Sequence, residues 1–336
     1  MKIISISMVK NECDVIESFV RYTLNIVDEM IILDNGSTDE TSKILINLIN
    51  EGLPIILIND EDNLYEQDIK TTKLLYKAVK EYNADFVCIL DADEFIMSID
   101  GQNPRKIIET LDESHYHLIR LIHHIPTPED NYDIKFIPKR INHIAEPNVD
   151  TLKVVVPKFI VNNYDVKVDL GNHDLTFKKG DKSKLCKYES NLKIAHYQIR
   201  SKEQCMSKIL VGWPNTVALH TEHTQIAYHW KEIFNKIKES NDISLEDVTS
   251  FSKIGVSSEN FNEITLKKHQ INIDFCKDIN IKYDFSYNYL RNILNEYVYL
   301  ANEFALLKHN CSLKSGEISL YRGIKIKLID WFLKRS

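Results

Sequence analysis

Over its first hundred residues the chain alternates two hydrophobic periods. Residues 3–9, 29–33, 54–58 and 86–90 are short apolar runs rich in β-branched side chains, and each reads as a strand. Between them, residues 14–26 carry Val15, Phe19, Tyr22 and Ile26 at helical spacing. Residues 41–49 place Ile44, Leu45, Leu48 and Ile49 on one face, and 65–82 form a longer helical pattern. Continuously apolar strands alternating with helices predict a parallel sheet covered on both faces. Ligands of such sheets bind beyond the carboxyl ends of the strands.

Beyond residue 100 the pattern loosens. A helix is predicted over 104–111, strands over 115–122, 152–161 and 192–199, and a helix over 201–211. Residues 126–150, rich in Pro, Asn and charge, read as a long loop or flap. From about 218 onward the pattern is mostly helical, with a polar break over 240–263.

Composition excludes several classes. The 336 residues are 43% hydrophobic and 27% charged, an ordinary globular balance that rules out disorder and collagen-like repeats. A net charge of −7 argues against general nucleic-acid binding. The six cysteines (Cys13, Cys88, Cys186, Cys205, Cys276 and Cys311) form no C-x-x-C pair, and several sit in apolar runs. That pattern suits reduced core thiols in a cytoplasmic protein. No signal peptide or membrane span is expected, because no uncharged apolar run is long enough.

Three motifs fall at the predicted carboxyl ends of strands. Asp91-Ala92-Asp93-Glu94-Phe95 follows the fully apolar run 86–90. In extended backbone, Asp91 and Asp93 would point the same way and offer an oxygen-rich site for Mg²⁺ or Mn²⁺; otherwise the segment is a solvated acidic turn. Asp34-Asn35-Gly36-Ser37-Thr38-Asp39-Glu40 reads as a tight turn followed by a Ser37/Glu40 capping box. Asp34 is placed to accept hydrogen bonds from a base or ribose. Lys10-Asn11-Glu12 lies at the first strand-to-helix junction, where Asn11 either caps the helix or lines a pocket.

Lys10-Asn11-Glu12, Leu33-Asp34-Asn35-Gly36-Ser37-Thr38-Asp39 and Asp91-Ala92-Asp93-Glu94-Phe95, in that order and spacing, resemble glycosyltransferase family 2, in particular the group whose acidic motif reads D-x-D-E-F. Gly171-Asn172-His173-Asp174 and His196-Tyr197-Gln198-Ile199-Arg200-Ser201-Lys202 extend the resemblance with decreasing strength to about residue 210. It implies a GT-A fold, a Rossmann-like mixed sheet flanked by helices, with a mostly helical C-terminal extension. The corresponding division is a nucleotide-sugar-binding and catalytic domain over 1–215 and a helical region over 216–336. The implied reaction is metal-dependent transfer of a sugar from a nucleotide sugar, a UDP-sugar by preference, to a glycan or lipid-linked acceptor, with inversion, in surface polysaccharide synthesis.

The resemblance also implies roles. Asn11, Glu12 and Asp34 would line the nucleoside pocket, and Asp91 and Asp93 would flank the ribose and the Mn²⁺- or Mg²⁺-bound diphosphate. His196 would complete the metal site, with His173 as rival, while Arg200 and Lys202 grip the diphosphate. The catalytic base is expected at Asp174, or else at Glu94. A non-catalytic sugar-nucleotide-binding assembly subunit is the alternative, and a nucleotidyltransferase a more distant one. Residues 322–335 carry five basic residues against one acidic, with Ile324, Leu328, Trp331 and Phe332 on one helical face. This face is expected either to attach weakly to an anionic membrane surface, making the protein peripheral at the inner face of the membrane, or to pack internally or in a homodimer.

Overall fold

The structure is a computed structural model of the chain. It describes residues 1–60, 66–146, 151–178, 182–219, 228–254, 264–276 and 279–285, and a few positions between 290 and 301. The chain divides into two units, Met1–Asn288 and Tyr289–Ser336. The boundary expected at 215 therefore lies inside the first unit. The basic segment 322–335 lies outside the described residues.

The first unit is built on an eight-stranded mixed sheet. In chain order its strands are β1 (Ile3–Val9), β2 (Glu29–Asp34), β3 (Ile55–Asn59), β4 (Phe86–Ile89), β5 (Glu94–Ser98), β6 (Tyr116–His123), β8 (Leu152–Pro157) and β11 (Cys186–His196). A separate hairpin pairs β9 (Val166–Val168) with β10 (Leu175–Phe177), and β7 (His143–Glu146) pairs with β12 (Thr265–Lys268). The large sheet runs β3-β2-β1-β4-β8-β6-β11-β5. Strands β3, β2, β1 and β4 are mutually parallel, as predicted; β8 is antiparallel to both its neighbours, and β5 is antiparallel to β11. The result is the mixed sheet flanked by helices.

Alternation within the strands builds two cores. Ile3, Met30, Ile32, Phe86 and Cys88 face helices α1 (Ile16–Thr23) and α2 (Thr41–Asn50). Ile4, Ile6, Ile31, Val87 and Ile89 face the opposite core, to which α3 (Gln67–Lys80) contributes Leu74, Leu75 and Ala78. The motifs of interest sit at the strand ends, where the apolar runs give way to polar side chains.

Several elements differ from the predicted ones. The strand expected over 152–161 stops at Pro157, and Lys158–Asn163 forms a short helix instead, α6. Pro157 has no N–H to extend the ladder. The expected flap contains α5 (Ile137–Arg140) and β7. A long helix, α7 (Lys202–Leu219), is followed by α8 (Tyr228–Ser240), and α9 (Leu245–Ile254) occupies part of the expected polar break. There Ser244 and Asp247 exchange backbone-to-side-chain hydrogen bonds of 2.9 and 3.1 Å, a reciprocal cap. The cap expected from Ser37 and Glu40 does not form; Ser37 Oγ accepts from the Asn11 amide at 3.0 Å.

Phe95, the last residue of the acidic motif, anchors the motif in the core. It is fully buried and meets Phe19, Tyr22 and Tyr197 edge-on, at centroid distances of 6.1, 5.3 and 5.3 Å. Phe95→Ala is expected to cost about 3–5 kcal/mol through lost transfer energy and the cavity left behind. Urea unfolding of the variant beside the wild type measures the loss.

Candidate active site

Register brings the site together. On β11, His196 pairs with Glu94 of β5 on one side and His123 of β6 on the other. Three polar side chains thus line up across three adjacent strand ends. Beyond the two intervening strands β8 and β4, β1 and β2 end at Val9 and Asp34, which pair with each other.

The acidic motif is a turn. The Glu94 amide donates to the Asp91 carbonyl at 3.1 Å, and Glu94 Oε2 accepts from the Asp91 amide at 3.0 Å. This corrects the extended geometry expected for Asp91 and Asp93, because a turn sends the two side chains to different partners. Asp91 accepts from Lys153 Nζ at 2.6 Å, from Asn172 Nδ2 at 3.0 Å and from Gln67 Nε2 at 3.4 Å. Asp93 lies 3.5 Å from His196 Nε2 and 3.6 Å from Arg200 Nη1.

Two buried cations divide the acids between them. Arg200, on the loop between β11 and α7, is 1% exposed. Its Nε and Nη2 form a fork on the two Asp14 oxygens at 2.7 and 2.8 Å; Nη2 also reaches Glu12 at 2.6 Å and Nη1 the Tyr197 carbonyl at 3.2 Å. Lys153, on β8, is equally buried and reaches Asp91, Glu94 Oε1 at 2.9 Å and the Gly171 carbonyl at 2.8 Å.

The electrostatics follow from this division. Burial opposes ionisation of Asp93, but His196, Lys208 and Arg200 outweigh it and hold the carboxyl well below the usual range. Burial raises Glu94 to about 7, with Asp91 and Asp93 adding to the rise and Lys153 opposing it. Burial likewise raises Glu12 to about 8, against the pull of Arg200. His123 is lowered to about 3, by burial first and by His196 second. Its neutral ring meets His196 with the two Nδ1 atoms 3.0 Å apart. His196 Nε2–H faces Asp93, and it is this nitrogen that would turn to a divalent ion once it gives up its proton.

The first two loops are laced together. Asn11 has φ +58°, a left-handed conformation that asparagine tolerates, and its Oδ1 accepts from the Thr38 and Asp39 amides at 2.8 and 3.3 Å. The Glu12 amide donates to Thr41 Oγ1 at 2.8 Å. Asp34 is buried; it accepts from the Ser37 amide at 2.8 Å and from the Ser42 hydroxyl. Asp34 thus braces its own loop, and Asn11 braces the same loop from the other side. Asn35 Oδ1 accepts from Lys70 Nζ at 2.7 Å, while its buried Nδ2 has no hydrogen-bond partner among the described residues.

Other expected roles meet different geometry. Asp174, expected as the base, accepts from the Tyr116 hydroxyl at 2.9 Å and from the Leu175 amide at 2.7 Å, and so ties the β9–β10 hairpin to the sheet. Glu94, the second choice, is only 1% exposed and committed to Lys153 and the Asp91 amide, closed to an incoming hydroxyl. Lys202 pairs at 2.6 Å with exposed Asp242, away from the acids. Arg200 has its donors spent on protein acids and a carbonyl, which corrects the expected grip on a diphosphate. His173 is exposed, and its Nδ1 hydrogen-bonds the Leu152 carbonyl at 2.8 Å.

Sequence reasoning missed Lys153, Asp14, His123 and Asn172. Lys153 had a signal: a lone charge opening an otherwise apolar strand needs a buried partner. Asn172 lies within the Gly171–Asp174 motif, but its partner Asp91 is 81 residues away; Asp14 and His123 had no signal.

Among the described residues, Asp93, Glu94 and His196 each offer a ligand atom, all within 4.8 Å of one another. The carboxylate oxygens suit Mg²⁺ or Mn²⁺, and the imidazole nitrogen is accepted better by Mn²⁺ than by the harder Mg²⁺. Asp93 and His196 fit such an ion best, because the carboxylate stays ionised and the imidazole is oriented from behind by His123. Glu94 has both oxygens already engaged.

Comparison with known proteins adds a family match over part of the chain. The model of Glycosyl transferase family 2 matches residues 6–113, from β1 through the acidic turn to just past the short helix α4 (Pro104–Ile108). A search of curated proteins finds no match. Among solved structures, TarS 1-349 from S. aureus in complex with UDP is 16% identical, over 62% of this chain and 64% of that one, with a TM-score of 0.36. The longer S. aureus TarS structure is 13% identical at a TM-score of 0.35, and the match spans 65% of this chain but only 40% of that one. GalNAc-T7 with UDP, GalNAc and Mn²⁺ is 11% identical, over 65% of this chain and 48% of that one, at a TM-score of 0.38.

Removing Arg200 tests the knot of acids. Arg200→Met leaves Glu12, Asp14 and Asp93 without their shared cation and is expected to cost about 3–5 kcal/mol. Arg200→Lys is expected to recover less than half of that, because a point charge cannot replace the fork. Chemical unfolding of both variants reads the difference. A pH effect comes from His124, which stacks on Tyr197 at 4.6 Å and is lowered to about 3 by burial, with His269 adding to the shift. Its folded pKa lies below the unfolded value of about 6.5, so its contribution is intact above 6.5 and is lost as pH falls toward 3. Between pH 7 and pH 5 the wild type should lose about 2 kcal/mol more stability than His124→Gln, measured by urea unfolding at both pH values.

Proposed function

We propose that the chain is a metal-dependent glycosyltransferase that moves a sugar from a UDP-sugar to a hydroxyl of a glycan or lipid-linked acceptor. One observation carries the reading: an ionised Asp93, inside a glycosyl transferase family 2 match, meets an oriented His196, outside that match, at the carboxyl edge of the mixed sheet. In open α/β sheets that edge is where ligands bind. The crevice runs from the Asn11–Asp34 loops, on the nucleoside side, to the Asp91–Asp93 turn, on the ribose and diphosphate side.

Each residue then has a physical task. Asp93 remains a carboxylate across the physiological range and supplies fixed negative charge. His196 presents Nε2 toward the same point, with His123 holding its ring. Arg200 balances the acids around Asp93 without leaving the interior. A bound divalent ion supplies charge neutralisation for the departing diphosphate. The buried Asn35 Nδ2 offers a hydrogen-bond donor on the nucleoside side.

The reading predicts release of UDP from at least one member of a panel of UDP-sugars when Mn²⁺ is present, and none when EDTA replaces it. Asp93→Asn is expected to slow that release at least roughly 100-fold, about 2.7 kcal/mol of barrier, under conditions where circular dichroism shows the variant folded. UDP binding without turnover of any sugar would instead support the non-catalytic binder. Pyrophosphate release from UTP and a sugar phosphate would support nucleotidyl transfer.

A further inference from the structure

Lys153 stands in an unusual place. It opens the apolar run of β8, is 1% exposed, and has all three ammonium donors engaged: Asp91 Oδ2 at 2.6 Å, Glu94 Oε1 at 2.9 Å and the Gly171 carbonyl at 2.8 Å. Two of the three acids in the motif are therefore paired with a lysine. The third, Asp93, is turned the other way, toward His196 and Arg200. Lys153 also holds the loop opposite. Gly171 and Asn172 have φ of +80° and +60°, and Asn172 Nδ2 returns to Asp91. The Gly171 amide in turn donates to Gln67 Oε1 at 3.0 Å.

A divalent cation and an ammonium compete for the same carboxylates. Both favour short contacts with anionic oxygen, and a carboxylate that already holds one repels the other through the added positive charge. The turn sharpens this competition, because Glu94 spends its second oxygen on the Asp91 amide. We propose that Lys153 is a resident cation that withholds Asp91 and Glu94 from a divalent ion and leaves Asp93 and His196 as the chain's metal ligands. The choice of Mn²⁺ as probe rests on the glycosyltransferase reading; the partition of charge rests on the geometry alone. Lys153 is thus a positioning residue, acting on the ion through the acids it holds.

The sign of the effect separates this role from simple support of the turn. A lysine that only props the turn would, on removal, loosen the ligands and weaken metal binding. A competing cation would, on removal, strengthen it. The experiment is a titration of Mn²⁺ into the full chain without nucleotide, followed by the electron paramagnetic resonance signal of the free ion. Lys153→Met is expected to bind Mn²⁺ roughly tenfold more tightly than the wild type. Should that variant fail to fold with two unpaired acids, Glu94→Gln and the double variant Glu94→Gln/Lys153→Met replace the comparison. The double variant loses one cation together with one carboxylate, and the released Asp91 should again tighten Mn²⁺ binding roughly tenfold over Glu94→Gln. Equal or weaker Mn²⁺ binding in the lysine-free member of either folded pair overturns the proposal. Absence of UDP-sugar turnover in the wild type would overturn the proposed function and leave this comparison intact.

Discussion

The structure depends on the buried guanidinium of Arg200. It reaches Asp14 and Glu12 across 186 and 188 residues of chain, and so pins the start of α1 to the end of β11. Burying one carboxylate is costly, and burying three near one another is more so unless a cation sits among them. Arginine suits the task because its planar fork meets Asp14 with two parallel bonds and still has donors for Glu12 and the Tyr197 carbonyl. The position of Asp93 follows, since its backbone carbonyl accepts from the Tyr197 amide at 2.8 Å.

Lys153 does for the other half of the motif what Arg200 does for the first loop. Between them the two cations engage Glu12, Asp14, Asp91 and Glu94, and Asp93 stands at the seam. Its 12% exposure is small but real, as is the 14% of His196. Of the three candidate ligands, Asp93 and His196 are thus the less encumbered and the more exposed, against 1% for Glu94. Rigidity around it comes from paired charge and from Phe95, whose ring sits in an aromatic cage below the turn. A site held this way has little freedom to rearrange as charge moves, which is what preorganised electrostatics requires.

Strands β2, β3 and β4 were legible because each is a continuous apolar run that ends at polar side chains, a pattern set by burial within a parallel sheet. The elements from the acidic motif onward were less so. β5 hides inside the acidic motif, where Glu94 and Phe95 read as a continuation of the turn. The antiparallel insertion of β8 between β4 and β6 leaves no periodic mark, because pairing partners are chosen by the whole sheet.

The sequence by itself determined which residue types gather at the carboxyl edge: the Asn11 loop, Asp34, the acid-rich 91–94 segment and His196 all lie at that edge or in loops beside it. Strand polarity and local hydrophobic period suffice for that, and both are properties of neighbouring residues. Only the tertiary structure decided what each side chain does there. Asp34 braces a loop, Asp174 ties down a hairpin, Arg200 holds acids in the interior, and Lys153 claims two members of the motif. A buried cation's role is set by whichever acids lie within a few ångströms, and for Lys153 and Arg200 those acids, Asp91 and Asp14, are 62 and 186 residues away. Coulomb energy depends on distance in space, and that distance exists only once the sheet has closed.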